Sequence, residues 1–97
     1  MTGALQEPLS PPRARAALRS ILEIGRITFS SHALEEMTKD DIAQAQAIAV
    51  IRAGVIHPAE LERGSWRYRI QAANTFVVIT FRSEVWSVVV TAWRVKR

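Results

Sequence analysis

The hydrophobic period of the chain changes midway along its length, and this change restricts the fold more than any other feature. Between positions 14 and 52, apolar residues recur three or four positions apart, which is the spacing of one helix face. From position 66 onward, Trp66, Tyr68 and Ile70 alternate with polar residues, which is the period of a strand. Because the two patterns are segregated, the sequence predicts an α+β fold, with two or three N-terminal helices packed on a C-terminal antiparallel sheet of three to four strands.

Capping residues and glycines predict where the helices begin and end. Ser10 can cap a first helix that starts at Pro11 and ends at Gly25. Ser30 can cap a second helix that begins near His32. Thr-Lys-Asp-Asp at positions 38–41 resembles a capping box, which predicts a bend or restart and then a third helix that ends near position 54.

The remaining segments are expected to form strands and connections. Positions 26–29 are predicted to be a short extended link, and positions 55–64 a connection. Positions 75–81 and 85–95 are apolar on both faces, so we expect them to be strands in the centre of the sheet.

Length and composition predict a single domain over positions 10–97, preceded by a disordered leader over positions 1–9. The chain has 97 residues and no cysteine, which excludes a disulfide framework and a thiolate metal site. No apolar run approaches the ~20 residues needed to span a bilayer, and the N-terminus lacks a signal-peptide pattern. We therefore expect a cytoplasmic protein with no membrane association, no bound metal and no cofactor.

Positive charge is concentrated in the last third of the sequence. The whole chain carries a net charge of +4, but positions 63–97 contain seven basic residues against Glu84 alone. Such an imbalance is typical of a surface that meets a polyanion, with nucleic acid as the obvious example. A basic surface with no partner would have the same composition.

Arg67 and Arg69 are the most specific part of this charge. Strand alternation places both side chains on one face, about 6.6 Å apart, where they can contact adjacent phosphates or one developing negative charge. Alternation also directs Trp66 and Tyr68 to the other face, into the core. As an alternative, the two arginines are only the charged side of an edge strand, which such residues protect from aggregation.

Several other residues are candidates for RNA contacts or chemistry. Trp93 lies near the basic C-terminus and should share its face with Thr91, whereas aromatic residues in strands are more often part of the core. The further candidate RNA contacts are basic residues of the second half: Arg63, Arg82, Arg94 and Lys96. His32, at a helix start, can transfer protons or can merely add local hydrogen bonds. His57 precedes a proline and is interpreted as structural or incidental.

The sequence resembles the bacterial family called domain of unknown function 4258. Ser30, His32, Ala33 and Met37 match the opening motif of that family, and Arg-Tyr-Arg at positions 67–69 lies where its first strand should be. Val-Val-Val-Thr at positions 88–91 resembles its last strand, so the resemblance covers about positions 20–95.

The resemblance implies a fold related to RelE/barnase-like ribonuclease toxins, which cut RNA without a metal. By that analogy His32 would be an acid or base, Arg67 and Arg69 would stabilise charge, and Tyr68 or Thr91 would position the substrate. The assignment of Tyr68 conflicts with the alternation that directs it to the core. The implied partners are RNA and a cognate antitoxin protein, with a monomer or small homo-oligomer as the free state.

One departure from the family motif bears on activity. The family has an arginine before the methionine, where this chain has Glu36, and a carboxylate there would repel phosphate. The resemblance implies a metal-independent endoribonuclease toxin, and the departure at Glu36 leaves a non-catalytic RNA-binding or protein-binding module of the same fold as the alternative. A third and weaker hypothesis is an interaction domain whose apolar strands pair with a strand of a partner.

Overall fold

Three helices precede most of a mixed sheet in the computed structural model, which describes residues 5–96. The elements are α1 (Pro11–Ile24), β1 (Arg26–Phe29), α2 (Ser31–Lys39), α3 (Gln44–Ala53), β2 (Val55–Ile56), β3 (Glu60–Glu62), β4 (Ser65–Ala72), β5 (Thr75–Ser83) and β6 (Trp86–Arg94). The predicted α+β class is confirmed. The sheet is larger than predicted, because it contains six strands within the described residues.

The strand order is β1-β6-β5-β4-β2, and β3 pairs with β4 beyond this path. Strands β4, β5 and β6 pair in sequence order and are antiparallel, as predicted for the C-terminal sheet. The sheet is nevertheless mixed, because β1 pairs in parallel with β6, with Arg26 opposite Trp86 and Phe29 opposite Val89. The segment predicted as an extended link is thus a sheet strand, and the predicted connection over 55–64 contains β2 and β3.

Local capping forms the first two helices as the sequence predicts. Ser10 Oγ accepts a hydrogen bond from the backbone N–H of Arg13 at 3.4 Å, and Ser30 Oγ accepts one from Ala33 at 3.0 Å. Gly25 ends α1 where the chain passes close to the β5–β6 turn. A Cβ at this position would lie 2.3 Å from the carbonyl oxygen of Val85, so only glycine fits there.

The predicted capping box at positions 38–41 does not form. Thr38 Oγ1 instead donates a hydrogen bond to the Leu34 carbonyl at 2.9 Å, within α2. The third helix starts later, after Ala43, whose N–H donates to the Gln46 side chain at 2.7 Å. Thr38 lies within α2 and not at a helix start, so its hydroxyl bonds to the carbonyl four residues earlier, which is a common arrangement for threonine in a helix.

Arg15 of α1 anchors the C-terminal end of α3. Its guanidinium donates to the carbonyl oxygens of Ile51 at 2.5 Å and Arg52 at 3.0 Å, and also to that of Gly54. These carbonyls lack partners within the helix, so a cation there also interacts favourably with the helix dipole. Burial, and secondly the charge of Arg19, lower the pKa of Arg15.

All three helices pack on one side of the sheet and enclose one hydrophobic core. Its largest fully buried side chain is Tyr68, whose hydroxyl accepts from the N–H of Leu9 at 2.9 Å and donates to Glu7 Oε2 at 3.0 Å. Leu9 itself is 7% exposed. The predicted nine-residue disordered leader is therefore wrong for residues 5–9, which belong to the folded domain, while positions 1–4 lie outside the described residues.

Candidate functional site

The side of the sheet opposite the helices, here called the open face, brings together the predicted arginine pair. On this face Arg69 lies opposite Val78, which lies opposite Thr91 on the next strand. Val78 is buried yet lies outside the core that the three helices share. The open face is therefore a second, smaller packed surface formed by side chains of the sheet alone.

A shallow cleft of about 270 Å³ lies on the open face around the arginine pair. The cleft is lined by side chains from β3, β4, β5 and β6: Glu60, Glu62, Arg67, Arg69, Val78, Thr91 and Trp93. Four residues proposed from the sequence thus share one cavity, because the β4–β5–β6 register places them on adjacent strands. Two guanidinium groups, a hydroxyl and an indole ring are available to one ligand there.

Trp93 is held as a flat surface at one end of the cleft. Its ring stacks on Phe76 of the neighbouring strand, with the ring centroids 5.0 Å apart and the planes 8° from parallel. This stack fixes the indole orientation, and Trp93 remains half-exposed. A fixed aromatic surface beside cations suits the stacking of a nucleobase.

Two carboxylates that were not predicted from the sequence also line the cleft. Glu60 lies opposite Arg67 in the β3–β4 register, and Glu62 Oε1 lies 3.3 Å from Arg67 Nη1. The available signal was the i, i+2 spacing of the two glutamates before the turn at Arg63 and Gly64, which folds β3 back on β4. These groups lower the positive charge of the cleft, and they also supply a potential proton acceptor beside a cation.

His57, which was interpreted from the sequence as structural or incidental, also lies on this side of the sheet. Its backbone N–H donates to the Arg69 carbonyl at 2.9 Å, and its Nε2 lies 3.1 Å from Gln71 Oε1. Gln71 shares the open face with Phe76, which lies opposite it. The imidazole is therefore next to the cleft without lining it.

The structure does not place Tyr68 in the cleft. The side chain is fully buried on the helix side, where it packs edge-on against Phe81 with the ring centroids 5.1 Å apart. Burial, rather than the contact with Glu7, is the main reason why the pKa of Tyr68 is raised to about 12. Its proposed role in the site is wrong, and the alternation argument that directed it to the core is confirmed.

His32 lies in the first turn of α2, outside the cleft that contains the arginines. It is exposed, and the helix start is tied to β6 by Ser30 Oγ, which donates to the Val90 carbonyl at 3.3 Å. Glu36, the departure from the family motif, lies 3.2 Å from Lys39 Nζ, so a nearby cation partly compensates its charge.

Most of the other predicted RNA contacts lie away from the cleft. The backbone N–H of Arg94 donates to Asp40 Oδ2 at 2.7 Å, and its guanidinium contacts the Asp40 carbonyl, so this arginine anchors the end of α2. Lys96 Nζ lies 3.9 Å from the same carboxylate. Arg82 lines a separate pocket at the opposite end of β5, and Arg63 is exposed in the β3–β4 turn.

The chemistry available to this site is that of cations, hydroxyls, carboxylates and aromatic rings. Within residues 5–96 there is no cluster of three or more histidine, aspartate and glutamate side chains that could hold a metal ion.

None of the helices within residues 5–96 is both long and apolar enough to cross a membrane. No protein-family model matches this chain, and no match is found among curated proteins or solved structures.

Proposed function

We propose that the open face binds single-stranded RNA, and that the chain is a metal-independent endoribonuclease of the toxin kind that the sequence resemblance implies. The observation that carries the proposal is the joint placement of Arg67, Arg69, Thr91 and Trp93 in one accessible cleft. Two guanidinium groups can neutralise phosphates, the indole can stack on a base, and the hydroxyl can bond to a ribose.

Cleavage on this face would use the ribose 2′-hydroxyl as the nucleophile. Its oxygen attacks the adjacent phosphorus while the bond from phosphorus to the 5′-oxygen breaks, which leaves a 2′,3′-cyclic phosphate and a 5′-hydroxyl. We assign Glu60 as the base that takes the 2′-hydroxyl proton, because it lines the cleft opposite Arg67. The 5′-oxygen takes its proton from solvent, because His32 lies outside the cleft, and Arg67 and Arg69 stabilise the charge on phosphorus.

The test of cleavage is incubation of a labelled RNA oligonucleotide with the purified protein in the presence of EDTA. We expect products with 2′,3′-cyclic phosphate ends, and a loss of about 100-fold in rate for Glu60→Gln and for Arg69→Ala. Arg13→Ala, an exposed change on α1, is the matched control. RNA that stays intact with the unaltered protein would contradict the catalytic half of the proposal.

Expression in bacteria tests the toxin assignment. We expect growth arrest that is relieved by Arg69→Ala and by Glu60→Gln, and also by co-expression of a cognate antitoxin that covers the cleft. Unaffected growth with intact cellular RNA would contradict this assignment. Relief by His32→Ala but not by Glu60→Gln would contradict the assignment of the reaction to the cleft, because His32 lies outside it.

The second candidate is an RNA-binding module without catalytic activity, and one observation favours it. The ion pair between Glu62 and Arg67 occupies part of the guanidinium, and Glu60 adds a second negative charge where phosphate would lie. RNA binding that falls steeply with salt, without any cleavage, would select this function.

A further inference from the structure

The middle of the open face is a floor of small side chains, formed by Val78, Thr80 and Val88. These residues are 9%, 6% and 7% exposed, although the two valines lie outside the core that the helices share. Because the three described helices pack on the other side, the larger side chains of the open face must shield this floor. The floor extends across the sheet from the arginine cleft on β4 to β6 and β1.

Two polar atoms along this floor have no hydrogen-bond partner within residues 5–96. They are Nε of Arg67 and Oγ1 of Thr80, and both are buried from solvent. Buried polar atoms without partners are uncommon in folded proteins, and such atoms are often satisfied by a ligand or by water. The floor therefore has unused hydrogen-bonding capacity next to the arginine cleft.

A second aromatic surface lies at the far end of this floor. The Arg26 guanidinium carbon is 4.2 Å from the centre of the Trp86 ring, and Trp86 Nε1 donates to Thr28 Oγ1 at 2.8 Å. The register places Thr28 opposite Val88, and so on the open face. The indole is thus fixed in orientation and paired with a cation, as Trp93 is fixed by Phe76 at the other end.

We infer that Trp86 and Arg26 form a second base-and-phosphate contact for the RNA of the proposed function. Trp86 and Trp93 are seven residues apart on β6, which corresponds to roughly 20 Å along a strand. An extended segment of about four nucleotides spans this distance, a length at the lower end of the sites found for single-strand-binding domains. One base stacks at each tryptophan, and the phosphates between them lie over the floor and beside Arg67.

The occupant is RNA rather than DNA on the chemistry of the cleft. A ribose 2′-hydroxyl can donate and accept a hydrogen bond, so the half-exposed hydroxyl of Thr91 can bond this group, which DNA lacks. The inference rests on the proposed function, because it extends the same binding surface.

The test is a length series of oligouridines of two, three, four and six nucleotides, with the dissociation constant measured by fluorescence anisotropy. We expect affinity to rise up to about four nucleotides and then to level off. Trp86→Leu should weaken binding of the six-mer on the order of tenfold, the stacking energy of one base, and leave the dinucleotide unaffected. Trp86→Phe should retain most of the affinity, because phenylalanine also stacks.

Arg26→Ala provides a second variant, since it removes the cation and leaves the Trp86 ring in the sheet. It should weaken the six-mer about threefold and reduce the dependence of binding on salt. Unaltered binding of the six-mer by both Trp86→Leu and Arg26→Ala, or affinity that levels off at two nucleotides, would overturn the second contact. Equal affinity for the deoxy six-mer would overturn the assignment to RNA.

These outcomes are distinguishable from failure of the proposed function. If oligonucleotides bind and Arg69→Ala abolishes the binding while Trp86→Leu does not, the arginine cleft stands and the second contact fails. If oligonucleotides of every length fail to bind, the proposed function fails together with its extension.

Discussion

The two faces of β4 differ in how far the protein satisfies its own polar groups. On the helix side, the Tyr68 hydroxyl both accepts from Leu9 and donates to Glu7, and the ring is fully buried. On the open face, Arg69 is exposed and one nitrogen of Arg67 has no partner within residues 5–96. The polar group on the helix side thus has all its hydrogen-bond partners within the protein, while the open face has donors that a ligand can use. Substitutions one residue apart should therefore affect stability and binding separately.

The largest expected effect is that of Tyr68→Ala on stability. Removing the ring leaves a cavity in the core and breaks two hydrogen bonds, so the free energy of unfolding in urea should fall by about 3–5 kcal/mol. Tyr68→Phe isolates the hydroxyl and should cost about 1–3 kcal/mol, since Leu9 and Glu7 lose a partner. Arg69→Ala is the matched control and should change the free energy by less than about 0.5 kcal/mol. Equal losses for Tyr68→Ala and Arg69→Ala would contradict the comparison.

Alkaline pH should reduce the stability that Tyr68 contributes on the helix side. Burial raises the pKa of Tyr68 from 10.0 to about 12, so the native state holds the phenol proton more tightly than the unfolded state does. The resulting stabilisation is present below pH 10 and is lost as the pH rises toward 12, by up to about 3 kcal/mol. Urea unfolding of the unaltered protein and of Tyr68→Phe between pH 9 and 12 measures the difference. A constant difference over this range would show that Tyr68 does not titrate as described.

A smaller loss of stability is expected where Arg15 anchors α3. Arg15→Ala removes charged hydrogen bonds to three backbone carbonyls and should lower the free energy of unfolding by about 2 kcal/mol. Arg15→Lys retains the charge but not the planar guanidinium, so its free energy of unfolding should lie between those of the unaltered protein and of Arg15→Ala. Arg13→Ala, on the exposed side of the same helix, should have little effect. The anchoring is disproved if the two alanine variants unfold at the same urea concentration.

The smallest expected effect is that of Glu62→Gln on the open face, where we expect a gain in RNA affinity rather than a loss of stability. Glu62→Gln removes the ion pair with Arg67, which is 28% exposed, so stability should change by less than about 0.5 kcal/mol. RNA affinity should rise about threefold, because the guanidinium is released and one negative charge is removed from the cleft. Glu23→Gln on α1 makes the same change of charge outside the cleft. A similar gain with Glu23→Gln would show that only the net charge matters.

Local signals predicted the parts of the fold that depend on neighbouring residues. Ser10 and Ser30 cap their helices as predicted, because a cap involves only the next three positions. The β1 strand was not predicted, because its four residues are ordered by pairing with β6, some 60 positions later. Such pairing leaves no periodic signal in so short a segment.

The same distinction applies to the site. Alternation placed Arg67 and Arg69 on one face, since the period of two is local to β4. Glu60 and Glu62 were missed because the register of β3 against β4 is needed to place them. Arg94 was predicted to contact RNA, but it is bound to Asp40, 54 positions away, a contact that the sequence does not indicate.

The most direct test of the account is the salt dependence of RNA binding by the unaltered protein and by the double variant Arg67→Ala, Arg69→Ala. We expect the double variant to bind at least tenfold more weakly, and the slope of log affinity against log salt to decrease by about 1.4, since each lost phosphate contact on a single strand accounts for about 0.7. The free energy of unfolding of the double variant in urea should differ from that of the unaltered protein by less than about 1 kcal/mol. An unaltered affinity and slope in a folded double variant would contradict the claim that the open face binds RNA.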